Sequence, residues 1–429
     1  MGPGQAQPAP LPDTLTFEDA TGLLLENNPD LRAARARVQA DSKTAQEAAL
    51  FPNPTLEGAN EHTRRPDGTG ADDEWYLTLS QPLNYPGEQR ARQQSADAAE
   101  RAAEAQLQET RAALYETLRQ RYLGVVVADT RYRLLRRYAD AIRQAGRAAT
   151  ARYEEGDLSP VRRSRLKNAE AAVESDLSEA RRERRTARRE LAYMLFPDRP
   201  LNADTARVDV SRFSVPDALG FRAVSVDTQA ALAMANEQRA GLRAQQARVE
   251  RQRHALDAAR YQRAPDLQLS AGPKQLSTPG GSTLGFTAGL QVELPLWNGG
   301  RTAVEAQEGR RAEAEATLDA TRRAVEADVL EALDRIDNYQ SRLQATADAA
   351  QPGPDTTLED ALFVYEQGEL TLFELLDTVE AALQTERRRV RRTAQFLRAL
   401  YALEASLGVG PQDAPVVVEG ALSPRDADL

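Results

Sequence analysis

The chain has no cysteine. That excludes disulfides, thiolate metal sites, a thiol nucleophile and a lipid-bearing N-terminal cysteine. It has two histidines, His62 and His254. Both stand apart from any ligand cluster, so no metal site is expected. No run reaches the ~18 apolar residues of a spanning helix. The opening "MGPGQAQPAP" lacks the basic and apolar regions of a signal peptide and reads as the flexible N-terminus of a processed or truncated chain. Positive charge is not in excess. With 55 Lys and Arg against 65 Asp and Glu the net charge is −10, which speaks against binding nucleic acid by charge. There is no Gly-rich phosphate loop, nucleophile elbow or zinc motif, so the expectation is no enzyme, no catalytic residue and no cofactor.

What is present is Ala, Arg, Glu and Leu in quantity, the composition of long helices and coiled coils. The chain also repeats itself. "YEEGDL" (Tyr153 to Leu158) returns half a chain later as "YEQGEL" (Tyr365 to Leu370). "LRAARARV" (Leu31 to Val38) returns as "LRAQQARV" (Leu242 to Val249), and "QPLNYPG" (Gln81 to Gly87) as "LPLWNGG" (Leu294 to Gly300). Matches in one order at nearly one offset, with Pro and Gly included, mark a duplication. The reading divides the chain into a flexible start (1–14), a first repeat (15–199), a linker (200–225) with a candidate short strand at Val208 to Val210, a second repeat (226–408) and a tail (409–429).

Each repeat reads alike. A first helix starts at Thr16, with Asp19 at the capping-box position. Leu24, Leu31, Val38 and Ala45 fall every seventh residue, as do Ala235, Leu242, Val249 and Leu256, which is a coiled-coil seam. Pro52 and Pro54 stop this helix. The period then changes to two: in "EWYLTLSQPL" Trp75, Leu77 and Leu79 alternate with polar neighbours, and "FTAGLQVEL" does the same with Leu290 and Val292. With weaker partners at 54–63 and 265–273, each repeat gains a hairpin of roughly ten-residue strands, long enough to cross a bilayer as a tilted barrel strand. A very long helix follows, free of proline from Pro86 to Pro160 in the first copy and interrupted by "QPGPD" (Gln351 to Asp355) in the second, where a kink or break is expected. A last helix runs from about Ser159 to Leu195 and from Thr371 to Leu407.

Four strands with open edges cannot stand in lipid, because unpaired backbone groups find no water there. Three chains would supply twelve strands and close a barrel. The residues alone therefore read as mainly α with a small β part: duplicated long-helix coiled-coil units with four strands per chain, whose helical rods would continue such a barrel as a tube.

The order and duplication of "LTFEDATGLLLENNPDLRAARARV", "FPNPTLEG", "SQPLNYPGEQRAR" and the paired "YxxGxL" phrases resemble the TolC-like outer-membrane efflux proteins, most of all the CzcC-like branch linked to cation and heavy-metal export. The resemblance covers about Leu15 to Gly408. It implies a homotrimer in the outer membrane of a Gram-negative-type bacterium, a trimeric α-helical barrel continued by a 12-stranded outer-membrane β-barrel, most of it periplasmic. It implies a duct that takes small molecules or metal cations from a periplasmic adaptor and an inner-membrane pump, expected to be of the RND class. Outer-membrane lipid is then a partner and nucleic acid is not. The rival reading, a soluble periplasmic coiled-coil or adaptor protein, explains the heptads but not the hairpins.

The resemblance also assigns residues. Tyr153, Gly156, Leu158 and Ser159, with Tyr365, Gly368, Leu370 and Thr371, would form the periplasmic turns that close the channel and dock the adaptor. Glu374 and Asp377 match an acidic pair that rings the pore. Leu370 stands close to where the family has a tip arginine. Arg162 and Arg165 occupy the equivalent places after the first turn, so opposite charges on neighbouring tips are expected to pair. Trp75, Leu77, Leu79, Leu290 and Val292 are the expected lipid-facing strand residues. Trp75, Tyr76, Tyr85 and Trp297 read equally well as interfacial anchors or as packing. The arginine runs at Arg181 to Arg189 and Arg387 to Arg392 read as solvated or paired between helices.

Overall fold

The computed structural model describes residues 14–66, 68, 70–156, 159–197, 226–261, 263–294, 297, 299–347 and 354–408. The expected linker at 200–225, the tail at 409–429, Leu158 and Pro352 lie outside them. The described elements are α1 (Phe17–Asn27), α2 (Pro29–Ala48), β1 (Thr55–Arg64), β2 (Ala71–Leu83), α3 (Pro86–Glu154), α4 (Pro160–Leu195), α5 (Thr228–Gln238), α6 (Ala240–Tyr261), β3 (Asp266–Thr278), β4 (Gly281–Glu293), α7 (Arg301–Ala347), α8 (Pro354–Glu366) and α9 (Leu372–Leu407). The chain divides into two compact units, each drawing on both repeats. One holds Met1–Arg32, Thr110–Arg239 and Ala324–Leu429, and the other Ala33–Glu109 and Ala240–Arg323.

The first unit is helical. Thr16 caps α1 through a full capping box: its Oγ1 accepts from Asp19 N–H at 3.1 Å, and Asp19 Oδ2 accepts from Thr16 N–H at 3.1 Å. The single first helix expected from Thr16 to Pro52 is instead broken after Asn27. Pro29 bars Asn28 from the helical region, and Asn28 is extended at φ −68°, ψ 125°. The Asn28 carboxamide oxygen then accepts the N–H groups of Asp30 (2.9 Å) and Leu31 (3.1 Å), capping α2. The second copy breaks at the matching place, Arg239 (φ −64°, ψ 117°). There Gly408 closes in on the Arg239 backbone; a Cβ at 408 would come within 2.7 Å of its Cα. Seam positions on either side of each break stay buried: Leu24 and Leu31, Ala235 and Leu242.

Three apolar clusters hold this unit. α1 and α4 pack on α3 through Leu24, Leu118, Val125 and Leu191. α5, α7 and α9 meet around Ala235, Val329, Ile336 and Leu403, joined by Leu123 of α3. α3, α4, α8 and α9 share Tyr138, Leu177, Tyr365 and Leu375. Charged residues stitch the same helices: Asp129 accepts from Arg184 (2.8 Å) and Arg188 (2.5 Å), and Arg387 pairs with Asp176. The arginine runs thus pair between helices in part.

The second unit carries one antiparallel sheet in the order β1-β2-β3-β4, in which β2 and β3 join the two hairpins. β2, β3 and β4 have 13 residues each, longer than periodicity indicated. Pro273, inside β3, brings no N–H. Beside it Gly272 lies so close to β2 that a Cβ would fall 1.8 Å from the Leu77 carbonyl oxygen, so only glycine fits.

Candidate functional site

The two helix turns are built from the same parts. α3 and α8 each end on a glycine in the left-handed region, Gly156 at φ 88° and Gly368 at φ 80°. Gly156 N–H donates to Tyr153 O and Gly368 N–H to Tyr365 O; Glu369 N–H reaches back to Val364 O at 3.2 Å, completing a Schellman motif at the second turn. Ser159 and Thr371 then cap α4 and α9. Tyr365 is buried between the helices, and Leu370 packs against the same core.

Beyond this common frame the turns differ. Glu374 is the capping-box acid of α9. Its Oε2 accepts from Thr371 Oγ1 (2.6 Å) and N–H (2.9 Å), which hold its carboxyl below the usual carboxylate range. Asp377 is exposed one turn further on and makes no ion pair among the described residues. At the first turn Arg162 offers only its backbone N–H to Ser159 Oγ, at 3.4 Å. Arg165 lays its guanidinium 4.1 Å from the centre of the Phe373 ring. Within the chain, then, Arg162 and Arg165 do not meet Glu374 and Asp377, and Arg165 is held by an aromatic ring.

Two features of the turns were not foreseen. Arg152 crosses from α3 to the second turn, where its guanidinium sits 5.0 Å from the centre of the Tyr365 ring and donates to Tyr365 O at 3.2 Å. Nothing in sequence separates it from the many helical arginines. Val161 and Phe373, at equivalent places of the two repeats, are both exposed apolar residues just after their caps, at 78% and 50%. The repeat itself was the signal that would have paired them.

In the sheet, cross-strand pairing sorts the side chains into two faces. Leu56 lies opposite Leu79, Leu79 opposite Ala271, Leu269 opposite Leu290, and Leu267 opposite Val292. Trp75 and Leu77 share that face, as do Leu284 and Phe286, which are 76% and 72% exposed. The other face carries Glu57, Thr78, Lys274 and Gln291. On it Lys274 pairs with Glu74 at 2.6 Å and donates to the Tyr76 hydroxyl oxygen at 3.3 Å, so Tyr76 belongs to the polar face. Trp297 is 95% exposed. His62, read as standing apart from any ligand cluster, has a single acidic partner among the described residues: its Nδ1 lies 2.7 Å from Asp73 Oδ1 on the neighbouring strand. No group of three metal-ligating side chains occurs among the described residues. Among them, too, no helix is long and apolar enough to cross a membrane.

A duplicated helix pair, capped turns and a sheet with one bare apolar face define a class. The chain belongs to the outer membrane efflux protein family, whose pattern matches residues 21–195 and again 231–409. It is 23% identical over 394 residues to the cobalt-zinc-cadmium resistance protein CzcC of Cupriavidus metallidurans, covering 92% of this chain and 90% of that one. Its fold is similar to that of the outer membrane protein VceC of Vibrio cholerae (TM-score 0.70, 20% identity, 91% of this chain and 96% of that one). It is also similar to the CmeC outer membrane channel of Campylobacter jejuni (TM-score 0.69, 16% identity, 91% and 85%).

Proposed function

We propose that this chain is the exit duct of a tripartite efflux system, a homotrimer that takes its cargo from a periplasmic adaptor and an inner-membrane pump of the RND class. The apolar sheet face carries this reading. Leu284, Phe286, Leu290 and Trp75 are all more than half exposed on one chain, and the unpaired edges β1 and β4 need partners. Lipid covers the face and two further chains complete the edges, giving twelve strands. A soluble adaptor would leave that face in water. The units of the duplication are the repeats 15–199 and 226–408, joined by 200–225 and flanked by 1–14 and 409–429.

At the periplasmic end the turns at Tyr153, Gly156, Leu158 and Ser159 and at Tyr365, Gly368, Leu370 and Thr371 form the closing tips. Exposed Val161 and Phe373 offer the adaptor an apolar foothold. Glu374 and Asp377, repeated three times, form acidic rings that favour cations, and Arg162 and Arg165 hold the closed state. The cargo is metal cations, a reading supported by these acids and by the likeness to a metal-resistance protein. Light scattering in detergent tests the duct: a particle of three chains of 47.1 kDa each is expected. A stable monomer in plain buffer would sink the reading.

A further inference from the structure

We propose that the free flank of α7 in one copy of this chain seats against the arginine flank of α4 in the next copy, and that opposite charge fixes that junction. The inference rests on the trimeric reading and assigns the surface that closes it.

The duplication supplies a template inside one chain. In the helical unit, α3 meets α9 through Arg119 and Leu123, with Tyr115 one turn before Arg119, its ring 5.5 Å from the Arg119 guanidinium and 5.5 Å from the Phe17 ring of α1. The Arg119 guanidinium lies 4.2 Å from the centre of the Tyr401 ring and pairs with Glu404, and Leu123 is buried with Leu397 and Leu403. α3 therefore has two covered flanks, one on α1 and α4 and one on α9. The repeat register that sets Leu31 on Leu242 also sets Leu118 and Val125, which face α1 and α4, on Val329 and Ile336 of α7, which face α5 and α9. The same register carries Tyr115, Arg119 and Leu123 to Glu326, Leu330 and Asp334. These three are exposed, Leu330 at 46%. Glu326 and Asp334 make no ion pair among the described residues. By contrast Asp328, on the opposite flank, is already paired with Arg239 at 2.7 Å.

The counterpart surface follows from the other half of the template. In the register that sets Tyr365 on Tyr153, Leu397 and Tyr401 of α9 fall on Arg185 and Arg189 of α4. Both arginines are exposed and without an ion pair among the described residues. With Arg181 they form an i, i+4, i+8 stripe along a groove of about 580 Å³ whose wall carries no carboxylate among the described residues. The inward arginines of the same groove, Arg184 and Arg188, are matched by Asp129; of the outward ones Arg181 reaches Glu174 at 3.9 Å, whereas Arg185 and Arg189 have no acid among the described residues. On the far side of α4, Asp176 and Glu183 are taken by Arg387 and by Arg131 (2.5 Å).

One long helix thus lacks its second cover and one short helix lacks its second partner, at equivalent positions of the repeat. A copy of this chain has both missing pieces, with acids on one and arginines on the other. α4 and α7 share none of the apolar clusters of the helical unit. A contact between copies therefore runs head to tail, and a head-to-tail contact generates a ring when its rotation closes. In-chain polarity is reversed at the new junction. Within the chain the long helix brings Arg119 to an acid; between chains it brings Glu326 and Asp334 to Arg185 and Arg189, with Leu330 between them.

Charge exchange tests this on the full chain in detergent. R185E/R189E and E326R/D334R should each lower the trimer fraction at least tenfold at low ionic strength by light scattering, with unchanged helical circular dichroism. The combined fourfold exchange should restore it. Because the chain has no cysteine, R189C/L330C adds a clean second measurement: oxidation should give two- and three-chain bands that neither single variant gives. Retention of the trimer by both reversal variants, or no restoration in the exchange together with no cross-linked bands, overturns the junction while leaving the trimeric duct standing. A wild-type chain that is monomeric in detergent removes the trimeric reading and the junction with it.

Discussion

Glu374 has two duties that pull on one carboxylate. It closes the capping box of α9, and in the proposed duct it contributes to a ring of negative charge. The box keeps it ionised to lower pH than a free glutamate, because Thr371 donates to the charged form. Since its folded-state pKa is depressed, the stabilisation is complete above the ordinary value of 4.5 and is lost as pH falls through the lower folded value. Protection of the first-turn amides of α9, taken relative to the intrinsic exchange rate at each pH, should accordingly hold down to about pH 4.5 and fall below it. Thr371→Ala should lower it already at neutral pH, by the ~1 kcal/mol typical of a lost cap; equal protection in both proteins would show that the box does not hold the tip. Asp377 has only the charge to offer. E374Q/D377N should therefore reduce cation selectivity in planar bilayers and weaken block by divalent cations, whereas R162E/R165E should raise conductance. Wild-type selectivity in the double amide would place the filter elsewhere.

Among the elements, those whose boundaries depend on local chemistry were legible in sequence. Thr16 and Asp19, Ser159 and Thr371 fixed helix starts because a cap needs only a hydroxyl or carboxylate and an N–H three residues on. Gly156 and Gly368 fixed helix ends because few other residues accept that φ. The break at Asn28 was missed although "NNPD" spells it, because the seven-residue spacing of Leu24 and Leu31 continues across it; at Arg239 no residue type announces it at all. β1 and β3 read weakly since their register comes from β2 and β4, partners that a single strand's alternation does not reveal. The side-chain links of the turns, Arg152 to Tyr365 and Arg165 to Phe373, join residues of different helices and leave no trace in spacing. The sheet faces were legible, and they yield a sharp contrast. Leu290→Asp should prevent membrane assembly while Gln291→Asp should not, as only the first places a charge on the apolar face, at a cost approaching the ~2–4 kcal/mol of a basic residue there. Equal yields of membrane-inserted protein would mean that the apolar face does not meet lipid.

At the scale of the whole molecule, the cation reading makes a demand on the cell. Loss of the chain should raise sensitivity to divalent transition-metal ions and raise cellular metal content by mass spectrometry. Sensitivity gained only towards organic compounds would leave the duct intact and change its cargo. The two helix breaks bear on a different question, that of descent. Asn28 and Arg239 occupy equivalent places of the two repeats and hold the same extended conformation, one by a side-chain cap before proline, the other against the backbone of a distant glycine. A shared shape secured by unrelated means points to inheritance: the interruption was in the half-length ancestor before it was copied. Six such ancestors, one hairpin each, would have made the same twelve-stranded ring. Fusing them in pairs left the circle unchanged, but it freed the two copies of each element to diverge, so that one turn is followed by Arg162 and Arg165 and the other by Glu374 and Asp377.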